Sequence, residues 1–195
     1  MDIQTLKMVL AATPNTHTVM LKGPHGIGKT EVIRWLAKNV WHQDCVEFQA
    51  SQISDVGDLI GLPRINSETG ETEFVPPYWY KKDEHGNPLP VTLFLDEINR
   101  GTTLVTNAMM QLGLDHKILN FKLAPGSHVI CAINPGDDGN YDVEEFDPAK
   151  MDRFVVYNFT PTVQEWLDWA VEAGVNSIVT GYISQYSGDL DPYSN

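Results

Sequence analysis

Gly23-Pro-His-Gly-Ile-Gly-Lys-Thr30 decides the reading of this chain. The stretch fits the pattern G-x-x-x-x-G-K-[ST], with Gly23, Gly28, Lys29 and Thr30 in the fixed positions. Each part has a physical task. Gly23, Gly26 and Gly28 carry no Cβ, so the backbone can take positive φ and turn its N–H groups toward an anion. Lys29 can set a point charge on the β- and γ-phosphates of a nucleotide. Thr30 can offer a hydroxyl to Mg²⁺, and a following helix would add the positive end of its dipole. Gly23, Pro24, His25, Gly26, Ile27, Gly28, Lys29, Thr30 and Glu31 are therefore the residues expected around the phosphates.

The pattern is short, so its context matters: it should follow a buried strand and open a helix. His17-Thr-Val-Met-Leu-Lys22 is a β-type run before the loop. Glu31 to Val40 has helical periodicity, with Val32, Trp35, Leu36 and Val40 expected on one face. A second signal lies downstream. Val91-Thr-Leu-Phe-Leu95 is a continuous apolar run ending in Asp96-Glu97. Such a run reads as a strand buried on both faces of a parallel sheet. Carboxylates at its C-terminal end would sit where ligands bind in open α/β sheets. Asp96 is then suited to hold Mg²⁺, and Glu97 to orient and deprotonate an attacking water. The competing reading is a solvated acidic turn, which the upstream loop makes the weaker of the two.

Thirteen Lys+Arg stand against 26 Asp+Glu in 195 residues, a formal net charge of −13. That length makes one domain, or one domain and the start of another. No basic stripe is present, which counts against nonspecific nucleic-acid binding and against a membrane-surface role. No stretch of about 18 apolar residues exists to span a bilayer, and the N-terminus lacks the pattern of a signal peptide. Cys45 and Cys131 lie in apolar strand-like runs and read as free thiols of a reducing, cytoplasmic compartment. The six histidines show no zinc spacing with them.

Along the chain, Asp2 to Ala11 reads as a short amphipathic helix and Cys45 to Gln49 as a second strand. Arg64-Ile-Asn66 and Thr72 to Val75 flank Ser67-Glu-Thr-Gly70, a hairpin with Gly70 at the turn. Pro76-Pro-Tyr-Trp-Tyr80 presents three aromatics, favoured as a core patch over a binding surface. Asn99 to Thr102 starts a helix that carries Leu104, Ala108 and Leu112 at helical spacing. Ile118 to Leu123 reads as a strand and turn, Val129 to Ile133 as a buried strand, and Phe154 to Phe159 as the last strand. Gly136 to Asp147 is acidic and reads as a solvated loop. Pro161 opens a helix from Thr162 to Ala173, with Gly174 beyond it. Strands alternating with helices give an α/β three-layer fold.

The order G-P-x-G-x-G-K-T, L-F-L-D-E-I-N-R, A-I-N-P, M-D-R-F resembles the AAA+ ATPases, and within them the MoxR-like (dynein-related) group, over roughly residues 3 to 175. The resemblance implies a P-loop NTPase fold with a five-stranded parallel sheet in the order 5-1-4-3-2, helices on both faces and β-hairpin insertions at Arg64–Val75 and Ile118–Leu123. On that order the strands of Cys45 and Cys131 are not neighbours. It implies a nucleotide-binding core over residues 1–161. Residues 162–195 would be C-terminal helices, a linker or the start of a truncated lid, since the lid of the family is short or missing here. It assigns Asn134 to the sensor position that places the lytic water, where the plainer reading is a turn asparagine. It assigns Arg153 to the arginine finger given to a neighbour's γ-phosphate, where the plainer reading is a surface arginine paired with Asp152. Arg100 would face a neighbour's nucleotide or pair with Glu97. The implied activity is ATP hydrolysis with Mg²⁺ in a homo-oligomeric ring such as a hexamer. That activity would remodel a protein partner, often one with a von Willebrand factor A domain. A nucleic-acid motor or loader, and a nucleotide-sensing binding module, stand as the alternatives.

Overall fold

A computed structural model describes residues 1–134 and 151–190 of the chain. In chain order its main elements are α1 (Ile3–Ala12), β1 (Val19–Lys22), α2 (Lys29–Leu36), β2 (Asp44–Gln49), α3 (Gly57–Ile60), β3 (Leu62–Ile65), β4 (Thr72–Val75), β5 (Val91–Asp96), α4 (Thr103–Asp115), β6 (Lys117–Ile118), β7 (Phe121–Lys122), β8 (His128–Ile133), β9 (Val155–Asn158), α5 (Val163–Glu172) and α6 (Ser177–Gln185). β2, β5, β8, β1 and β9 hydrogen-bond in that order, every pair parallel. Numbered among themselves, these five strands run 5-1-4-3-2, the order implied by the family likeness.

Side-chain parity builds the three layers. Alternate residues of a strand point to opposite faces, so Val19 and Leu21 of β1, Phe94 of β5, and Ile130 and Ala132 of β8 meet α1 and α2 through Leu6, Leu10, Val32, Ile33 and Leu36. Met20, Leu93, Leu95, Val129, Cys131 and Ile133 point the other way and pack on α4 through Val105, Met109 and Leu112. The apolar run of β5 is buried throughout because a helix layer covers each face. Cys45 on β2 and Cys131 on β8 are separated by β5, and both are free thiols.

Helix ends follow local chemistry. The Asp2 carboxylate accepts the Thr5 N–H at the head of α1. Thr162 and Glu165 form a reciprocal capping box at α5. Glu165 also accepts the Ile3 N–H, which ties α5 to the start of α1.

Several expectations shift by one helical position. α2 buries Val32, Ile33 and Leu36, while Trp35 and Val40 stay 43% and 38% exposed. Ala37–Trp41 forms a π-turn, which breaks the 3.6-residue phase between Leu36 and Val40. In α4 the buried stripe is Val105, Ala108, Met109 and Leu112, and Leu104 is 72% exposed. The aromatic run divides: Trp79 is buried with its indole N–H donating to the Leu59 carbonyl at 2.8 Å, and Tyr78 is 59% exposed. Residues 118–123 are not a single strand but fall in the hairpin that the family likeness implied, with β6 and β7 paired antiparallel. β3 and β4 pair as the other hairpin, with Gly70 at φ 71° in its turn. The acidic run Gly136 to Asp147 lies outside the described residues. Among the described residues, no helix is long and apolar enough to cross a membrane.

Gly23 closes β1 where β9 hands over to the next segment. A methyl group at Gly23 would stand 2.4 Å from the Phe159 carbonyl oxygen, a backbone atom with little room to yield. Gly23→Ala should lower stability by about 1–3 kcal/mol, as overpacking does, read as a fall in the urea midpoint at unchanged slope.

Candidate functional site

β1, β8 and β5 lie side by side and parallel, so the segments leaving their C-terminal ends converge. β1 delivers the loop 23–28, β8 delivers Asn134, and β5 delivers Asp96 and Glu97. These are the carboxyl ends of adjacent strands where the strand order reverses, the usual ligand crevice of an open α/β sheet. A cleft of ≈480 Å³ opens there, lined among others by Gly28, Lys29, Thr30, Asp96, Glu97 and Asn134.

The loop takes the shape its glycines allow. Gly26 and Gly28 have φ 77° and 89°, and a Cβ on either would meet nothing within 4 Å. Gly28 is the N-cap of α2 and brings no side-chain cap, so the first N–H groups of α2 receive no cap from it. An anion is the natural acceptor for such groups.

Lys29 is only 5% exposed. Its Nζ donates to the carbonyls of Gly23 and Pro24, each at 2.8 Å, and to Asn134 Oδ1 at 2.7 Å. Burial pulls the ammonium down to about 8, against the pull of the Asp96 and Glu97 charges. The other end of the Asn134 amide donates to Glu97 Oε1 at 3.2 Å. Lysine only donates and a carboxylate only accepts, so this orientation of Asn134 satisfies both neighbours.

Glu97 sits at φ 52°, left-handed backbone that a residue with a Cβ seldom adopts. Its side chain is held from several directions. Oε2 accepts from Gln49 Nε2 at 3.0 Å and from Ser51 Oγ at 2.7 Å. Oε1 faces Arg100 Nη1 at 3.4 Å. Burial raises this carboxyl, but the hydrogen bonds from Gln49 and Ser51, the Arg100 charge and Asn134 outweigh it and set it below its ordinary value. Asp96 behaves oppositely. Burial lifts it above its ordinary value despite the Lys29 charge and a 2.8 Å bond from the Glu97 N–H. Neighbouring carboxyls pushed apart in this way can take different chemical roles.

Among the described residues, no three His, Cys, Asp or Glu side chains come together as a metal cage. Thr30 and Asp96 border the same cleft. That donor set fits Mg²⁺, which takes one or two protein oxygens and completes its shell with phosphate and water.

The two arginines fall in different places. Of the two readings of Arg100, the pair with Glu97 is present in this chain. Arg153 is exposed and pairs with Asp115 at 3.7 Å, not with Asp152. The register sets Val155 beside Val19, at the start of β1, whereas the loop leaves the other end of that strand. Arg153 therefore stands at the end of the sheet away from this chain's own phosphate loop.

Sequence reasoning missed a second groove of ≈450 Å³ that shares Gly26, Gly28, Glu31 and Arg34 with the cleft. Its walls are mostly apolar: Ile3, Ile27, Trp35, Pro161, Trp166 and Trp169. Lys7 Nζ lies 4.2 Å from the Trp35 ring centre, a cation–π contact. The available signal was the tryptophan pair three residues apart in α5, but nothing local tied that pair to the loop. Gln49 and Ser51 were missed too, and Asn99, although it stands in the D-E-I-N-R motif, was given no role, since a neutral polar side chain does not announce its partner.

Because the folded Lys29 loses its proton at a lower pH than a free lysine, the unfolded chain binds more protons between about 8 and 10.5. The burial penalty is present in full below that window and relieved as pH rises through it. Without nucleotide, wild-type stability relative to Lys29→Met should climb by up to about 1.4 kcal/mol per pH unit across the window. Urea unfolding of both proteins at pH 7.5 and 9.5 measures it, and a constant difference would refute the burial account.

The sequence profile described as "AAA domain (dynein-related subfamily)" matches residues 18–154. A crystal structure of a candidate ATPase from Cytophaga hutchinsonii superposes with a TM-score of 0.62 at 19% identity, covering 89% of this chain and 51% of that one. NtrX from Brucella abortus superposes with a TM-score of 0.54 at 17% identity, covering 89% of this chain and 41% of that one. At such identities the likeness is one of fold. The chain spans about half the length of the first and about two-fifths of the second. No curated protein matches the chain significantly. The profile match covers the loop, both acidic residues, Asn134 and Arg153, and the chain belongs to the dynein-related subfamily of AAA domains, within the AAA+ ATPases.

Proposed function

We propose that this chain is an ATP hydrolase of MoxR-like type whose turnover is completed between subunits and drives remodelling of a protein partner. The observation that carries the reading is the chain Lys29–Asn134–Glu97 beside Asp96, set at the head of α2. The triphosphate would lie along the loop 23–28, with the Lys29 ammonium exchanging loop carbonyls for phosphate oxygens. Thr30 and Asp96 would hold Mg²⁺, which supplies positive charge at the phosphates. Glu97 accepts a proton from the attacking water, and the Asn134 amide holds that water in line. The apolar groove of Trp35, Trp166 and Trp169 adjoins the loop at Gly26 and Gly28 and suits the flat face of a nucleobase. Adenine is preferred because no Asn/Thr-Lys-x-Asp guanine-reading motif occurs in the chain.

The place of Arg153 supports assembly. A cation at the far end of the sheet cannot reach this chain's own phosphates, but it can reach those of a neighbour in a homo-oligomeric ring. An arginine given in trans can be worth ~10³–10⁵ in rate. Lys117 and Lys122 are paired across the β6–β7 hairpin, and two exposed cations against a net charge of −13 do not favour a nucleic-acid track. Among protein partners, one with a von Willebrand factor A domain is the first to test on the family likeness.

Three measurements test this. Glu97→Gln should bind ATP within a few-fold of wild type yet lose about 10²–10⁴ in kcat, the range of a removed general base; undiminished turnover would sink that role. Turnover per protomer should rise with protein concentration, and Arg153→Ala should flatten the rise. Trp166→Ala should weaken ATP and ADP binding together by about 10-fold, the loss expected when one stacking contact of ~1–1.5 kcal/mol goes, without slowing bound ATP.

A further inference from the structure

Asn99 sits in the 3-10 turn Ile98–Arg100 directly after Glu97, and it is only 5% exposed. Its Nδ2 donates to the backbone carbonyl of Asn134 at 2.9 Å. The location explains why a side chain is needed. The pairing of β5 with β8 ends at Leu95 beside Cys131, while β8 continues to Ile133. The Ile133 carbonyl is taken on the other side by the Gly23 N–H at 3.3 Å. Beyond the last ladder pair, Asn99 is the link from the β5 side to the Asn134 backbone. The turn that presents it is itself fixed, since Arg100 N–H donates to the Glu97 carbonyl at 2.8 Å and Thr106 Oγ1 to the Ile98 carbonyl at 2.9 Å.

The rest of the Asn99 amide has no partner among the described residues. Its Oδ1 is fully buried and has no hydrogen-bond partner among the described residues. A buried amide oxygen without a donor costs stability that an apolar side chain of the same size would not. The residue therefore carries a cost at this point, and among the described residues its side chain's one hydrogen bond is the donor at Asn134.

We propose that Asn99 is a positioning residue that pins the Asn134 backbone, so that the Asn134 amide stays aimed between Lys29 and Glu97. The inference rests on the hydrolase reading above and adds to it a residue outside the loop and the acidic pair. Asn99 is not among the residues that line the cleft. Its effect passes through Asn134, and its loss should show in the speed of the chemical step rather than in nucleotide binding.

The test is a double-mutant cycle on the full chain, at protein concentrations where turnover per protomer has levelled off. Wild type, Asn99→Leu, Asn134→Ala and the double variant are compared by kcat, by KM for ATP and by melting temperature. Asn99→Ala runs alongside in case the larger apolar group is not accommodated. Expected are a kcat at least 10-fold lower for the Asn99 variants and a KM within threefold of wild type, with a fall in melting temperature for Asn99→Leu no larger than one lost hydrogen bond gives. In the Asn134→Ala background the Asn99 substitution should then cost less than a further twofold, because residues acting as one unit are not additive. A kcat within twofold of wild type, losses that multiply, or KM and melting temperature moving together would overturn the proposal. If wild type shows no turnover, or Asn134→Ala turns over at the wild-type rate, the hydrolase reading itself fails and takes this proposal with it. Those two control arms separate the one failure from the other.

Discussion

Lys29 carries its charge to a place where 5% of the residue is exposed. A buried ammonium must be surrounded by acceptors or give up its proton. Here it has Gly23, Pro24 and Asn134 as acceptors and the Asp96 and Glu97 charges nearby, yet its pKa still drops from 10.5 to about 8. That drop leaves roughly 3 kcal/mol of the burial penalty uncompensated. The strand ends, the loop and the acidic pair are all arranged about this charge. A phosphate brought to the loop would supply the missing compensation, so the site holds back stability for its ligand, as functional sites commonly do.

The same logic accounts for Glu97. Its left-handed backbone is an outlier that would relax unless its surroundings fixed it. Gln49 and Ser51 at the end of β2, Arg100 in the next turn and Asn134 from β8 each hold one side of the carboxylate. The carboxylate is thus tied to three strands at once. A shift in any one strand end changes what it faces.

Topology explains why these groups meet. β1 lies between β8 and β9, and the chain reaches β8 only after laying β2 and β5 on the far side. The loop after β1 therefore faces the ends of strands formed much later, and residues more than a hundred positions apart, Lys29 and Asn134, come to 2.7 Å. The parallel register that gathers the site at one end of the sheet also puts Arg153 at the opposite end. One chain cannot bring that cation to its own cleft. If Arg153 serves a phosphate site, as proposed above, that site belongs to a neighbour.

The local pattern of the chain was enough for the loop, the buried acidic strand and the alternation of strands with helices. Each is set by short-range chemistry: glycines for positive φ, a two-sided apolar run for a strand covered on both faces, Asp2 and Thr162 for helix starts. The strand order came from the resemblance, not from periodicity. Helix faces were misjudged at Trp35 and Leu104, because which of two adjacent residues is buried depends on the facing helix and sheet, and at Val40, which lies in the π-turn. Trp35 was taken for core, and tertiary packing instead makes it the wall of a groove closed by Trp166 and Trp169 from α5. The tasks of Gln49, Ser51 and Asn99 were hidden for a related reason, although Asn99 stands in a motif that carries the family likeness. A neutral polar side chain acquires a task only when folding sets a carboxylate or a carbonyl within 3.0 Å of it. The sequence alone determined which residue types stand at the loop and at the acidic strand end, with the chemistry to meet phosphate and take up a proton. The tertiary structure decided which neutral side chains aim them, because aim depends on distances between strands that the chain order does not contain.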